Sequence, residues 1–141
     1  MEDSINKNAV EEYKTNILFE TIEEVTGLKK ETIISKGRVQ DIAIARNIAG
    51  YIIHKGIGLT TVATAKIINR DHSTVVYYNK MFDTNYNYYK EYRELYNIVT
   101  ELFWSKFVTT EKEEIDLQVK SLQALIAKLK KRTEYLLIKN N

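Results

Sequence analysis

The chain of 141 residues contains no cysteine and no proline, and it has only five glycines. Without cysteine, neither a disulfide framework nor a thiolate metal site can form. The two histidines, His54 and His72, are too few for a histidine-based metal site, since no carboxylates are suitably spaced beside them. Few helix breakers combined with many Lys, Glu, Ile and Leu residues predict an all-α fold.

Long apolar stretches are also missing. No run of about 18 apolar residues is available to span a membrane, and the N-terminus is acidic, unlike a basic signal peptide. No Gly-x-x-x-x-Gly-Lys-Ser/Thr loop occurs, which excludes a P-loop ATPase module. We therefore expect a cytoplasmic protein that uses no cofactor and no nucleotide and has no membrane partner.

Positive charge is concentrated in the middle of the chain, although the net charge is only +2. Residues 1–28 hold two Lys against seven Asp and Glu, a net charge of −5. Residues 29–80 hold nine Lys and Arg against three acidic residues, a net charge of +6, and residues 81–141 carry +1. Because attraction to phosphate is screened within about 10 Å at ordinary salt, this basic block predicts a local nucleic-acid-binding surface.

Two amphipathic helices precede the centre of the block. The first is predicted over 9–25 and ends at Gly27; its predicted inward side chains are Val10, Tyr13, Ile17, Ile22 and Val25. A short apolar turn and a basic loop over 35–38 follow. The second helix is predicted over 41–54, with an apolar face at i, i+3, i+4 and i+7 spacing: Ala45, Ile48, Ala49 and Ile52.

A helix-turn-helix is predicted next. The first helix runs over 59–68, with Thr60 or Thr61 as its cap and Val62, Ala63 and Ile67 facing inward. Asn69 is the expected turn residue, since Asn tolerates positive φ better than most residues. The second helix is predicted over 71–82. A short helix, a tight turn and another helix are the pattern of a DNA-reading element.

The second helix opens on a polar cluster: Asp71, His72, Ser73 and Thr74. Side chains of a first helical turn project beyond the helix end, where they can bind base edges and phosphates. The alternative is that Asp71 or Ser73 only caps the helix. Further along, Val75, Tyr78 and Phe82 are predicted to pack inward. Ser73, Tyr77, Lys80 and Thr84 fall on the opposite face.

The consecutive Asp71, His72 and Ser73 also suggest a hydrolase relay. Neighbours on one helical turn point in different directions, so they cannot act as orienter, base and nucleophile. We therefore expect no catalytic residues and no enzyme activity.

Two further helices are predicted after the DNA-reading element, so the predicted domains are 1–84 and a helical extension over 85–141. An aromatic helix over 85–107 is followed by a polar connection over 108–114. The last helix, over 115–138, carries a heptad repeat whose core positions are Ile115, Val119, Leu122, Ile126, Leu129, Thr133 and Leu136. β-branched residues at one position and Leu at the other favour a parallel two-stranded coiled coil, hence a homodimer. Docking of this helix onto the chain's own aromatic helix is the alternative.

Three stretches resemble the C-terminal DNA-binding domain of the bacterial chromosomal replication initiator DnaA. Residues 34–38 (Ile-Ser-Lys-Gly-Arg) are similar to its basic loop, and residues 45–52 are similar to its central helix. Residues 70–75 (Arg-Asp-His-Ser-Thr-Val) match its signature at every position. The chain departs from the family pattern at Gly37 and Gln40, where basic residues are common, and at Ile68-Asn69, where the family has Gly-Gly.

The resemblance implies a helix-turn-helix domain that binds double-stranded DNA, without the ATPase module. It implies that Asp71, His72, Ser73 and Thr74 read bases in the major groove. The implied contacts to the DNA backbone and minor groove are Lys36, Arg38, Arg46, Lys66, Arg70 and Lys80. The expected function is sequence-specific DNA binding in replication initiation or transcriptional regulation. The alternative is a helical adaptor whose aromatic and heptad helices bind a protein partner, with DNA binding weak or lost.

Overall fold

The computed structural model describes the backbone of residues 2–140 and the side chains of 7–107 and 111–139. Over these residues the chain is helical and contains no strand, which confirms the all-α prediction. The elements are α1 (Glu2–Thr26), α2 (Lys30–Ile33), α3 (Gln40–Tyr51), a π-helical segment (Ile52–Ile57), α4 (Thr61–Ile68), α5 (His72–Tyr88) and α6 (Lys90–Asn140). Contacts divide the chain into two compact units, Met1–Phe103 and Trp104–Asn141.

Helix α1 covers one side of the first unit, but with a different face from the one predicted. It begins at Glu2, seven residues before the predicted start. Leu18, Phe19 and Ile22 are buried, whereas Val10 and Tyr13 are about half exposed. Thr15 and Thr21 lie on the same buried face. Their hydroxyls donate to carbonyls one turn back, so each polar atom is satisfied without interrupting the core. The predicted inward position of Val10 and Tyr13 was therefore wrong.

Helix α3 is the centre of the first unit, and its predicted apolar face is confirmed. Ala45, Ile48 and Ala49 are fully buried, and small side chains at 45 and 49 allow neighbouring helices to approach closely. The regular α-helix ends at Tyr51, earlier than predicted, and the chain continues as the π-helical segment to Ile57. Gly58 then adopts φ +98°, a left-handed conformation that glycine adopts without steric cost.

Gly50 fixes the distance between α3 and α5. A Cβ placed on Gly50 would lie 3.1 Å from Tyr78 Cδ2 and 3.2 Å from Ile68 Cδ1. Both neighbours are themselves buried in the core. A larger side chain at position 50 must therefore push α4 and α5 away from α3.

Gly50→Val is accordingly expected to destabilise the fold by about 1–3 kcal/mol through overpacking. Gly50→Ala should cost less, since its single methyl group needs a shift of only a few tenths of an ångström and alanine favours helix by about 1 kcal/mol. Thermal unfolding followed by circular dichroism measures both variants. A Gly50→Val protein as stable as wild type would show that α3 and α5 are not in close contact here.

The helix-turn-helix forms as predicted, with one error in its first helix. Thr60 is the cap, its Oγ1 accepting the Ala63 backbone N–H at 3.1 Å. The buried residues of α4 are Thr64, Ala65 and Ile68, while Val62, predicted to face inward, is exposed. The inward face is therefore shifted by one to two residues from the prediction.

The second helix is longer than predicted, and the aromatic helix starts later. Helix α5 runs to Tyr88, and only Tyr89, with φ −115° and ψ 107°, separates it from α6. The predicted aromatic helix from residue 85 was wrong at its start. Tyr88, which lies within the predicted aromatic helix, ends α5 instead and is 80% exposed.

An aromatic cluster joins α3, α5 and the first turns of α6. Phe82 stacks on Tyr51 with ring centroids 4.0 Å apart and planes at 5°. Tyr96 meets Phe82 edge to face at 4.9 Å. The Tyr86 ring packs against Phe82 of α5 and Tyr96 of α6. Its hydroxyl donates to Asn97 Oδ1 at 3.1 Å. Such ring pairs stabilise a fold beyond their buried area.

Residues 90–103 thus belong to the first unit: Tyr92, Val99 and Phe103 are buried in it. The predicted domain boundary follows residue 84, whereas the structure divides into its two units after Phe103. The second unit consists of the rest of α6. Its backbone is helical through 108–114, where the sequence predicted a connection, so that prediction was wrong.

Candidate nucleic-acid interface

The turn between α4 and α5 sets the direction of α5, the recognition helix of the helix-turn-helix. Asn69 adopts φ 57° and ψ 50°, as predicted for the turn residue. The Arg70 N–H donates to the Ala65 carbonyl at 2.9 Å, and the Asn69 N–H to the Lys66 carbonyl at 3.3 Å. These two bonds form a Schellman motif, which satisfies the last carbonyls of α4 and turns the chain sharply.

Asp71 occupies the N-cap position of α5 with an extended backbone, φ −72° and ψ 150°. Its carboxylate does not form the predicted capping bond within the described structure. It instead accepts the Ser73 hydroxyl at 3.1 Å and lies 3.0 Å from His72 Nδ1. The three side chains therefore form one small network at the helix end.

This network faces solvent. The Asp71 and His72 side chains are 72% and 63% exposed. The hydrogen bond from Ser73 and the nearby His72 lower the pKa of the Asp71 carboxyl. Asp71 is therefore ionised at neutral pH, which leaves it an acceptor only. An exposed acceptor at a helix end suits the amino group of cytosine in the major groove.

The rest of α5 divides into two faces as predicted. Val75 and Tyr78 are buried, and Phe82 lies in the aromatic cluster. The outward positions are Ser73, Tyr77, Lys80 and Thr84, all exposed. Thr74 is partly buried beside them. The helix therefore presents a continuous polar face to a partner while its other face is fixed in the core.

Arg46 lies beneath the basic loop and is only 5% exposed. Its Nε donates to the Ile33 carbonyl at 2.8 Å, and its Nη2 donates to the carbonyls of Ser35 and Gly37 at 2.8 and 3.0 Å. Burial, followed by the neighbouring Arg70, lowers the pKa of this guanidinium. A buried Arg with its donors on three carbonyls holds the loop in place.

Arg70 ties the same loop to the helix-turn-helix. Its Nη2 donates to the Ser35 carbonyl at 2.7 Å, the oxygen that also accepts from Arg46. Its Nη1 donates to the Asn69 carbonyl at 2.7 Å. Two arginines from different elements therefore position the basic loop against the start of the recognition helix.

A shallow depression of about 540 Å³ lies between the basic loop and the recognition helix. Its lining consists of Lys36, Gly37, Arg38, Arg46, Asn69, Arg70 and Asp71. Four of these seven residues are cationic and one is acidic, so the depression attracts anions. We call it the basic depression.

The structure thus brings together most of the residues that the sequence singled out. The four base-reading candidates lie at the exposed end of α5, beside the basic depression with Lys36, Arg38 and Arg70. Lys66 and Lys80 are exposed on α4 and α5. Arg46 differs, because its buried guanidinium is turned towards loop carbonyls. This bracing role was not predicted, although the position of Arg46 within the apolar stripe Ala45 to Ala49 is a signal of burial.

A fixed recognition helix with an exposed polar end and a neighbouring cationic depression defines a helix-turn-helix DNA-binding domain. The family model described as "Bacterial dnaA protein helix-turn-helix" matches residues 16–81. This part of the chain is therefore similar to the helix-turn-helix of bacterial DnaA proteins. A comparison with curated proteins finds no match to the chain.

Metal clusters and membrane-spanning helices are both absent from the part of the chain that the structure describes. No group of three or more His, Asp or Glu side chains there could hold a metal ion. None of its helices is long and apolar enough to cross a bilayer. His54 is occupied within the fold, since its Nδ1 donates to the Leu59 carbonyl at 2.6 Å.

Proposed function

We propose that the protein binds a specific double-stranded DNA sequence through α5 and the basic loop. The observation that carries this proposal is the juxtaposition of the Asp71–His72–Ser73 network with the basic depression. The network supplies donors and acceptors for base edges, and the depression supplies charge for phosphates. The biological role we propose is regulation at a DNA site, in replication initiation or transcription.

The roles proposed within the interface are those that the family resemblance implies, except that Arg46 is reassigned because its guanidinium is buried. Asp71, His72, Ser73 and Thr74 enter the major groove and read bases. Lys36, Arg38, Lys66, Arg70 and Lys80 contact the backbone, with Arg38 reaching the neighbouring minor groove. Arg46 acts by positioning the loop. The proposed DNA-binding part of the chain extends to Phe103, because α5 depends on α6 residues for its aromatic contacts.

Selection of bound sequences from a random pool of duplexes tests this function most broadly. The full chain should enrich a defined motif over successive rounds. A pool that remains random would show binding without base reading, and would contradict the proposed roles of residues 71–74.

Lys36→Ala is expected to weaken binding to all duplexes alike, because a phosphate contact carries no sequence information. The slope of log K against log salt should become less steep by about one. Anisotropy titrations at several salt concentrations measure this slope. Lys7→Ala, which removes a lysine from the acidic segment 1–28, is the control and should leave the slope unchanged. An unchanged slope for Lys36→Ala would remove Lys36 from the interface.

A second candidate function is that of a helical adaptor. The observation in its favour is the row of exposed apolar side chains in the second unit, including Ile115, Leu122 and Leu129. Soluble monomers rarely expose such rows unless a partner covers them. Loss of this unit by truncation after residue 108, followed by duplex-binding measurements, separates the candidates. Duplex binding that survives truncation would favour the DNA-binding function and assign the unit to assembly, whereas absence of duplex binding in both the full and the truncated chain would favour the adaptor.

A further inference from the structure

The C-terminal heptad segment, residues 111–139, exposes the whole of its apolar seam. The predicted oligomerisation residues are 45–60% exposed: Ile115, Val119, Leu122, Ile126, Leu129 and Leu136. Every side chain of the segment is exposed. The seam repeats every seven residues, as in helices that pair with another helix of the same kind.

Charges beside the seam distinguish the two ways in which two copies can pair. In the heptad register the seam lies at residues 115, 119, 122, 126, 129, 133 and 136. The flanking positions are Glu111, Asp116, Gln118, Gln123, Leu125, Lys130, Arg132, Leu137 and Lys139. Acidic residues occupy the first turns of the segment and basic residues occupy the last turns. Such a gradient is self-complementary only when the two copies run in opposite directions.

Parallel pairing brings unfavourable neighbours together. In a parallel pair, each flanking residue at positions 111, 118, 125 and 132 lies against the residue five positions further along in the other copy. Glu111 would lie against Asp116 of the second copy, which places like charges side by side. Leu125 would meet Lys130, so an apolar side chain would face a charge. The parallel arrangement predicted from the seam residues alone is therefore opposed by the residues beside it.

Antiparallel pairing removes these conflicts. With the two copies centred near residue 124, Val119 packs against Leu129 of the second copy, and Leu122 packs against Ile126. Beside the seam, Asp116 meets Lys130. By the twofold symmetry each such contact occurs twice.

Four more of the flanking residues also match in this arrangement. Glu111 meets Lys139, and Gln123 and Leu125 each meet their own counterparts, amide against amide and leucine against leucine. Opposite charges thus face each other at both ends, with an uncharged centre between them.

We propose that the heptad segment is a self-association element that pairs antiparallel with a second copy of this chain. Its specificity comes from the acidic-to-basic gradient, since a like-oriented copy is rejected by charge. DNA is not needed for the pairing, so the proposal stands apart from the DNA-binding function and is tested without a duplex.

Single cysteines test the orientation directly, because the chain has no cysteine of its own. In the antiparallel pair, the two copies of residue 119 are ten residues apart along the axis, about 15 Å, beyond disulfide reach. Val119→Cys alone and Leu129→Cys alone should therefore form no disulfide dimer. A mixture of the two variants, one carrying a size tag, should form the mixed disulfide. Dimers from either variant alone would establish parallel pairing and overturn the proposal.

A charge reversal gives an independent test. Asp116→Lys places Lys against Lys130 of an antiparallel partner and should weaken the dimer about tenfold. Adding Lys130→Asp should restore it. In a parallel dimer, the lysine introduced by Asp116→Lys would instead lie against Glu111 of the second copy, and association would become stronger. Sedimentation equilibrium of the full chain measures all three proteins. A wild-type chain that stays monomeric at every concentration, or a strengthened Asp116→Lys dimer, contradicts the proposal.

Discussion

Arg46→Lys is expected to lower both the free energy of unfolding and the affinity of the protein for every DNA duplex, although the substitution keeps the positive charge. A lysine cannot donate from the guanidinium positions to the carbonyls of Ile33, Ser35 and Gly37 together. Losing most of these charge-assisted bonds in a buried site should cost about 2–4 kcal/mol. The released loop would no longer hold Lys36 and Arg38 beside the recognition helix.

Thermal unfolding and duplex titration on the same sample measure the two effects. Arg38→Lys is the matched control, because Arg38 is exposed and its substitution should leave the unfolding temperature unchanged. An Arg46→Lys protein with wild-type stability and a small, uniform loss of affinity would mean that Arg46 contacts a phosphate after all.

His72→Ala is expected to abolish most of the preference for the selected DNA motif. His72 stands at the exposed end of α5, and the proposed complex places its imidazole against base edges. A base contact of this kind contributes about 1–3 kcal/mol of discrimination, so the ratio of affinities for the selected and a scrambled duplex should fall roughly 5- to 150-fold. Affinity for the scrambled duplex should change little, because phosphate contacts supply it.

Competition titrations with the two duplexes give this ratio. Thr84→Ala, at the far end of the same outward face, is the control and should keep the wild-type ratio. Equal losses on both duplexes for His72→Ala would assign His72 to the backbone instead of the bases.

The helix-turn-helix could be predicted from the sequence because its signals are local. Thr60 before an apolar run indicates a helix start, and Asn69 suits a left-handed turn. Val75 and Tyr78 then repeat at helical spacing. These features depend only on residues close together in the sequence, so contacts between distant segments do not decide them.

The errors arise where distant contacts or missing signals decide the structure. Arg46 reads as a surface cation, and only the three carbonyls of a loop 9 to 13 residues away in sequence explain its burial. The break at Tyr89 has neither glycine nor proline to mark it. The polar stretch 108–114 reads as a loop, yet it contains no helix breaker, so the helix continues through it.

Titration of a fluorescent duplex carrying the selected motif with the full chain tests the central claim most directly. With about five phosphate contacts, affinity should be high at 50 mM salt and fall by two to three powers of ten at 200 mM. A scrambled duplex of equal length should bind more weakly at each salt concentration. Absence of duplex binding at 50 mM salt, with the chain folded, would contradict the account.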